Sequence, residues 1–505
     1  MAGRFPGRMS TLFRTKSIAA LIAASDHPSH RLKKTLGLGS LIALGIGVVV
    51  GSGIFTLTGT AAAGLKFDYP SIFKAPVLDL LIGGSHAVGT FGRPGAGPAI
   101  SISFLLVALA CSFAALCYAE LASMIPVSGS AYTYAYATLG EIFAWIIGWD
   151  LILEYAVGNM AVAVGFGAYF NDLLDNVFGF HLPAQLTQPI LIEGKATGAW
   201  FNLPSFLMVM LLTWLLVRGV RESARANTII VVIKVGAILL FVFGAARSVD
   251  AHNWHPFMPN GYSGVLTGAA IVFFSYIGFD ALSTAAEECH TPQRDLPRGI
   301  MFTLVICALL YAAVALVLTG IVHWDTLNND APVANALKAV GLNRLRFIVT
   351  VGALLGMLSG VLVSQYGQSR ILFAMSRDRL LPDMFSRVHP KFRTPDISTW
   401  IAGIFVAIPA GVWDIGTFAD LTNIGTLFAF VVVSAGVIIL RRSQPDHARS
   451  FRVPWVPLLP LLSILCCLLL MLSLPLETWI RFFVWLAVGL VIYFAYSRKR
   501  VAAES

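Results

Sequence analysis

Four ionisable side chains lie inside long apolar stretches of this sequence, where a charge is costly. They are Asp150, Glu154, Lys234 and Asp280. A charged residue near the centre of a bilayer costs at least about 2.5–3.5 kcal/mol, so each of the four is a functional candidate. Asp150 and Glu154 are four residues apart and therefore share one helical face. Counted along their helices, Glu154 and Lys234 both lie close to mid-membrane.

A charged pair at that depth could handle protons. Lys234 is too deep to reach water along its own stem, so we predict that it pairs with Glu154. A buried lysine changes its protonation readily, which favours a role in proton coupling. The alternative is a static structural ion pair.

The backbone supplies a second source of chemistry. The stretch Leu41–Thr60 is apolar, yet it contains four glycines, Gly45, Gly47, Gly51 and Gly53. Glycine costs about 1 kcal/mol relative to alanine inside a helix, so we predict a break at Gly51-Ser52-Gly53. A broken helix exposes amides at one end and carbonyls at the other, and these bind carboxylate and ammonium groups. The alternative is a glycine face for close helix packing.

A second interrupted segment, Gly268–Glu288, lies further along the chain. Gly278 and the polar residues around it interrupt an apolar run, and Ser275–Phe279 falls at its centre. Each broken segment is the first of five predicted spans, and the two enter from opposite faces of the membrane. That arrangement indicates an inverted repeat.

The composition decides the class of protein that must position these groups. The chain is 57% hydrophobic and 12% charged, with a mean hydropathy of +0.78. Soluble proteins carry about 25% charged residues, so this is a multi-span, all-α integral membrane protein embedded in a lipid bilayer. Most Lys and Arg fall in segments predicted to be cytoplasmic, so the net charge of +9 reflects topology and not a nucleic-acid partner.

Twelve membrane spans are predicted, at 36–64, 96–124, 140–171, 201–217, 224–246, 262–286, 299–322, 347–373, 397–413, 418–440, 454–474 and 480–497. They divide into a cytoplasmic N-terminal segment (1–35), a first five-helix repeat (36–246) with a long outer loop (65–95), a second repeat (262–440), two accessory helices (454–497) and a cytoplasmic tail (498–505). Between spans 2 and 3, Tyr132, Tyr134 and Tyr136 predict a short helix at the cytoplasmic interface. The histidines and cysteines show neither metal-ligand spacing nor a disulfide framework, so we expect no metal.

Five motifs in order make the sequence resemble the bacterial type of the cationic amino acid transporter family, within the amino acid–polyamine–organocation superfamily. They are GIGVVVGSGIF, YAELASMIPVSGSAYTYAYATLGE, GWDLILEY, FFSYIGFDALSTAAEE and YGQSRILFAMSRDRLLP. The resemblance covers roughly residues 31–440 and implies the same inverted-repeat fold with two accessory helices.

The resemblance also implies roles for particular residues. Substrate carboxylate would meet the amides of Gly51, Ser52 and Gly53. Substrate ammonium would meet carbonyls near the two breaks, at Val48, Phe274, Ser275 and Ile277.

Other roles concern access to the site and the coupling ion. Phe274 or Phe279 would cover the site, and Met357 would narrow the side-chain pocket if it faces the site. In sodium-driven relatives a sodium ion bridges helices 1 and 8; here Lys234 would place its ammonium there, with Glu154 as the paired acid. No sodium and no other cofactor is then expected, only a proton as the coupling ion. Asp280 and Glu288 are candidates for gating, and Asp280 also for helix capping.

The expected function is proton-coupled uptake of cationic or small neutral L-amino acids by alternating access. The expected location is the plasma membrane of a bacterium, with both termini in the cytoplasm. An amino acid sensor that binds without net transport is the alternative. An enzyme is not expected, because the spans contain no nucleophile–base set. Whether a small single-helix subunit is needed stays open.

Overall fold

The structure is a computed structural model that describes residues 15–18, 36–66, 71–83, 92–127, 130–192, 195–218, 224–329, 331–392, 394–498 and 500, with only the backbone at 83, 224–227, 284, 285, 287 and 288. The described part is almost entirely helical. Its α-helices run over Leu38–Val49 (α1), Thr58–Ala63 (α2), Val77–Gly83 (α3), Ile100–Met124 (α4), Ser130–Thr138 (α5), Glu141–Phe178 (α6), Ala184–Thr187 (α7), Leu203–Val217 (α8), Ala224–Ala245 (α9), Gly261–Val272 (α10), Pro292–Ile321 (α11), Pro332–Ala339 (α12), Asn343–Arg377 (α13), Asp396–Val412 (α14), Ile415–Ser443 (α15), Leu458–Leu472 (α16) and Leu476–Ile492 (α17).

Turns of 3-10 helix and π-helix extend some of these helices. A π-helical turn over Gly53–Leu57 precedes α2, and 3-10 turns over Phe273–Tyr276 and Asp280–Glu288 follow α10. The described structure also contains two antiparallel hairpins. Strand β1 (Gly64–Lys66) pairs with β2 (Gly92–Pro94), and β3 (Leu191–Ile192) pairs with β4 (Lys195–Ala196).

The predicted fold class is confirmed. Within the described residues, eight helical segments are long and apolar enough to cross a membrane, and α1 forms a ninth with the helical turns over Gly53–Ala63. The shorter apolar helices α8, α14 and α16 occupy the positions predicted for spans 4, 9 and 11. Together these elements account for the twelve predicted spans.

Helix packing follows the pairing that a two-fold axis of an inverted repeat would impose. Helix α4 packs on α11, α6 on α13, and α8 on α14. In each pair, one helix comes from each predicted repeat, in the corresponding position. The division of the chain into two repeats stays a prediction.

The short helix after α4 forms as predicted, but its tyrosines do not face its surroundings. Its location at the cytoplasmic interface stays a prediction. Tyr132, Tyr134 and Tyr136 are at most 7% exposed. Helix α5 packs on α6, on α15 and on the 3-10 turn Asp280–Glu288. Its tyrosines are therefore interior residues, and the helix covers the C-terminal part of the second broken segment.

The C-terminal end of α6 and the N-terminal end of α13 are held together by charged side chains, of which Asp172 and Arg346 are buried. Arg346 Nε donates to Asp172 Oδ1 (2.9 Å), and Arg346 Nη2 donates to Asp172 Oδ1 and to Asp175 Oδ2 (2.8 Å for the latter). Thr350 donates a further hydrogen bond to Asp172 Oδ2 (2.9 Å). Lys338 reaches Asp175 from α12 (2.9 Å), but its side chain is half exposed.

Two residues near the end of the loop 65–95, Arg93 and Gly95, bond to the starts of α10 and α15. Arg93, on β2, is 4% exposed, and its Nη1 donates to Asp420 Oδ2 at the start of α15 (2.7 Å). Asn260, at the start of α10, donates to the Gly95 carbonyl (2.8 Å). Residues 93–95 therefore link the N-terminal ends of α10 and α15.

Candidate functional site

The first break lies where the glycines predicted it. Helix α1 ends at Val49, and Val50 leaves the helical conformation (φ −81°, ψ 89°). The π-helical turn begins again at Gly53, and the two halves of the span are bent by 44°. The amides at the start of this second half have no acceptor one turn earlier in the chain. Of the predicted carboxylate-binding amides, that of Gly51 already donates to the Val49 carbonyl (3.1 Å).

The second break is centred on two residues. Ile277 is extended (φ −63°, ψ 137°), and Gly278 has a φ of +115°, a conformation that residues with a Cβ rarely adopt. Helical turns resume at Asp280. The predicted interruption within Ser275–Phe279 is therefore present.

The two breaks touch each other through their glycines. A Cβ placed on Gly53 would lie 2.4 Å from Ser275 Oγ and 2.7 Å from Ser275 Cα. A Cβ placed on Gly278 would lie 2.4 Å from Val48 Cγ1. Where the two segments touch, each has space only for a glycine of the other. The two segments are therefore packed closely against each other.

A cavity of about 60 Å³ opens beside this contact. That is room for a few water molecules or for the polar head of a small ligand. Six of the predicted substrate-binding residues line it: Val48, Gly51, Ser52, Gly53, Phe274 and Ile277. The structure thus brings both broken segments to one cavity.

Three predicted site residues are not among those that line this cavity. Ser275 lies directly behind Gly53. Phe279 packs in an aromatic cluster with Tyr118 and Phe430, with ring centroids 6.0 and 5.0 Å away. Met357 is fully buried in α13. Of the two aromatic residues left open as a cover for the site, Phe274 lines the cavity and Phe279 does not, and Met357 does not line it either. The roles of these residues stay predictions.

Lys234 lies at the end of α1. It is fully buried, and its Nζ donates to the carbonyl oxygens of Gly47 (2.5 Å) and Val50 (2.9 Å). Gly356 on α13 makes room for it, since a Cβ there would lie 3.3 Å from the lysine Cδ. The ammonium therefore joins α9 to carbonyls that α1 leaves unpaired where it stops.

The predicted ion pair between Lys234 and Glu154 is not formed. Both residues are described, and no ion pair joins them. Helix α9 packs on α1 and α13, whereas Glu154 extends from α6 into the cavity with Thr426 beside it. The prediction was based on the similar depth of the two residues in the membrane. Two side chains at the same depth do not meet when they lie on different sides of a helix between them.

Asp280 also lines the cavity. Ser130 donates to its Oδ2 (3.5 Å), and the amides of Gly278 and Ala281 lie beside its carboxyl group. This is the position in which an acid stabilises the start of a helical turn, as the capping alternative requires. Its gating role stays a prediction, and the Glu288 side chain lies outside the described part.

One face of α6 forms a wall of the cavity that the sequence analysis missed. Its residues are Glu154, Tyr155, Gly158, Asn159 and Val162. Their spacing of one, three and four residues is that of a helical face, so a search from Glu154 could have found them. Asn159 is 1% exposed, and its Nδ2 has no hydrogen-bond partner in the described structure. Ser364 on α13, also missed, completes the wall.

Among the described residues, no three His, Cys, Asp or Glu side chains are grouped to hold a metal ion. The expectation of no metal stays a prediction.

Comparison with known proteins identifies the family. The amino acid permease family profile matches residues 36–494. The chain is 48% identical over 491 residues to the branched-chain amino acid permease BcaP of Bacillus subtilis (strain 168), covering 97% of this chain and 98% of that protein. It is 47% identical over 491 residues to the methylthioribose transporter of the same organism (97% and 99% covered). It is also 34% identical over 447 residues to the vacuolar cationic amino acid transporter 4 of Arabidopsis thaliana (87% and 68% covered). Matches over this much of the chain show that it belongs to the amino acid permease family.

Proposed function

We propose that this protein carries amino acids across the membrane by alternating access, driven by protons. The observation that carries the proposal is the meeting of two broken helices at one cavity, with Lys234 on the carbonyls at the end of α1. Helix ends of this kind bind the carboxylate and ammonium of an amino acid. A bulkier or less polar solute would leave these backbone groups unpaired.

Lys234 is the proposed coupling group. Its ammonium holds α1 against α9 in the state described here, through the Gly47 and Val50 carbonyls. A neutral amine could donate to these carbonyls only weakly, so loss of the proton would release α1 and open a path to the inside. Glu154, on the opposite wall, is proposed to exchange protons with the cavity and not with Lys234 directly. No sodium ion enters this scheme.

We propose neutral aliphatic L-amino acids as the first class of substrate. The cavity wall includes Val48, Val49, Val162, Phe274 and Ile277, and the relative of 48% identity is named for branched-chain amino acids. Cationic amino acids are the second candidate class, because two carboxyl groups line the same cavity, those of Glu154 and Asp280. The proposed location is the plasma membrane of a bacterium, with both termini in the cytoplasm.

The test is uptake into proteoliposomes of a panel of labelled amino acids, with and without an inward proton gradient. We expect the gradient to stimulate uptake of valine, leucine, isoleucine or alanine. Stimulated uptake of arginine and lysine instead would select the cationic class. Saturable binding without any uptake would overturn the proposal in favour of a sensor.

Lys234 is tested by comparing Lys234→Met with Lys338→Met, a variant of an exposed lysine on α12. We expect Lys234→Met to exchange substrate between the two sides but not to accumulate it in response to a proton gradient. Lys338→Met should behave as the parent protein. Accumulation by Lys234→Met against a gradient, with the pH dependence of the parent, would show that coupling lies elsewhere.

A further inference from the structure

The outer loop carries large apolar side chains that the protein leaves exposed outside all of its membrane spans. The exposed fraction is 41% for Ile72, 54% for Phe73, 69% for Leu81 and 79% for Ile82. The 3-10 turn over Ile72–Lys74 and helix α3 present them. A cluster of exposed apolar residues of this kind marks a surface that meets another apolar phase.

This segment is fixed against the turn that joins the last two spans. The Val77 amide donates to the Leu474 carbonyl (3.1 Å), and the Leu476 amide donates to the Ala75 carbonyl (3.1 Å). Leu474 belongs to the turn that joins α16 to α17, and α17 begins at Leu476. The loop segment is therefore held at the level where the last two spans emerge on the outer side.

The helices beside it expose the same kind of surface. On α16, Leu461 and Leu465 are 50% and 63% exposed, and on α17, Phe483 and Val484 are 57% and 59% exposed. In a membrane-spanning protein such residues face lipid chains. The exposed apolar side chains of the loop segment lie beside these two helices, near the turn that joins them.

We infer that residues 72–83 form an interfacial anchor that inserts Phe73, Leu81 and Ile82 into the outer leaflet. A helix that lies in the plane of the interface buries its apolar face several ångströms deep, among headgroups and upper acyl chains. This inference is independent of the substrate proposed above. It gives the outer loop two attachments, since lipid holds the segment near α16 and α17 and the Arg93–Asp420 ion pair holds the other end.

Spin labels can measure the depth of this segment. Leu81→Cys and Ile82→Cys would each carry a nitroxide in proteins reconstituted in phosphatidylglycerol–phosphatidylethanolamine vesicles. Lys195→Cys, at an exposed position on β4, is the matched control. Five of the six native cysteines are buried and Cys466 is partly buried, so the labelled parent protein gives the background.

We expect the ratio of oxygen to nickel-chelate accessibility to be at least about threefold higher at 81 and 82 than at 195, because oxygen concentrates in the apolar phase. Uptake by the labelled variants at the parent rate would show that they are folded. A ratio equal to that at 195 would place the segment in water and overturn the inference. Low accessibility to both reagents would also overturn the inference, because another protein would then cover the segment. Broadening of the spectrum by a nearby label would overturn it as well, because a second copy of this chain would then cover the segment.

Discussion

Alanine at Gly53 is expected to damage the site, whereas alanine at Gly51 is not. A Cβ at Gly53 would lie 2.4 Å from Ser275 Oγ, 2.7 Å from its Cα and 2.9 Å from its Cβ. Carbon atoms in contact are normally about 3.5–4.0 Å apart, so one of the two segments must move by about 1 Å. At Gly51 the nearest atom to a new Cβ would be the Val48 carbonyl oxygen, at 4.0 Å. Both variants keep their backbone amides, so only the steric effect differs.

The size of the effect follows from what must move. Overpacking a closely packed interior costs about 1–3 kcal/mol. One of the crowded atoms at Gly53 is the backbone Cα of Ser275, which cannot turn away as the end of a flexible side chain can. We therefore expect a cost of about 2–3 kcal/mol, in the upper part of that range. If this strain falls on the closed, substrate-bound state, it weakens binding by about 30- to 150-fold.

The assays are thermal unfolding in detergent, and substrate affinity by isothermal titration. A double variant adds a control: Gly53→Ala with Ser275→Gly removes the contacts to Oγ and Cβ but keeps the one to Cα. It should therefore recover only part of the lost affinity. The reasoning would be refuted if Gly53→Ala and Gly51→Ala had the same unfolding temperature and the same affinity.

Three further comparisons test the description of the fold and the site. Arg346→Met should lower unfolding stability by about 3–5 kcal/mol, because it removes the cationic partner of the buried Asp172 carboxylate; Lys338→Met, at the exposed pair, should cost at most about 1 kcal/mol in the same denaturation assay. Phe274→Ala should raise KM for uptake, whereas Phe279→Ala should leave KM unchanged and cost about 3–5 kcal/mol of stability; the reverse result would assign the cover of the site to Phe279. Met357→Ala should cost about 2–5 kcal/mol of stability without widening the range of substrates in competition assays.

The sequence predicted the elements that depend on local composition. Apolar runs predicted the positions of the spans, because each segment that crosses a bilayer must by itself be long and hydrophobic enough. Glycines with polar neighbours predicted both helix breaks, because helix propensity is also a local property of the sequence. Six substrate-site residues proposed through the resemblance, Val48 and Phe274 among them, line the cavity.

What could not be predicted depends on rotation and on distant contacts. Glu154 and Lys234 have similar depths, but the side of α1 on which each lies is set by helix packing. Phe279 was as plausible a cover as Phe274, and only the conformation of the break separates the two. The pairing of β1 with β2 joins residues about thirty apart in the chain, and no local pattern in the sequence indicates it. Asn159 was overlooked although it shares a helical face with residues near Glu154.

The hydrogen bonds from Lys234 to the end of α1 bear on the salt concentrations at which the protein can work. A freely diffusing ion on these carbonyls would obey mass action, so its occupancy would fall in a dilute medium and rise in brine. The ammonium of Lys234 is covalently part of the chain, and no dilution can remove it from Gly47 and Val50. The contact at this end of α1 therefore does not depend on binding an ion from the surroundings. The same contact could therefore form in a dilute medium and in brine without a change in the sequence.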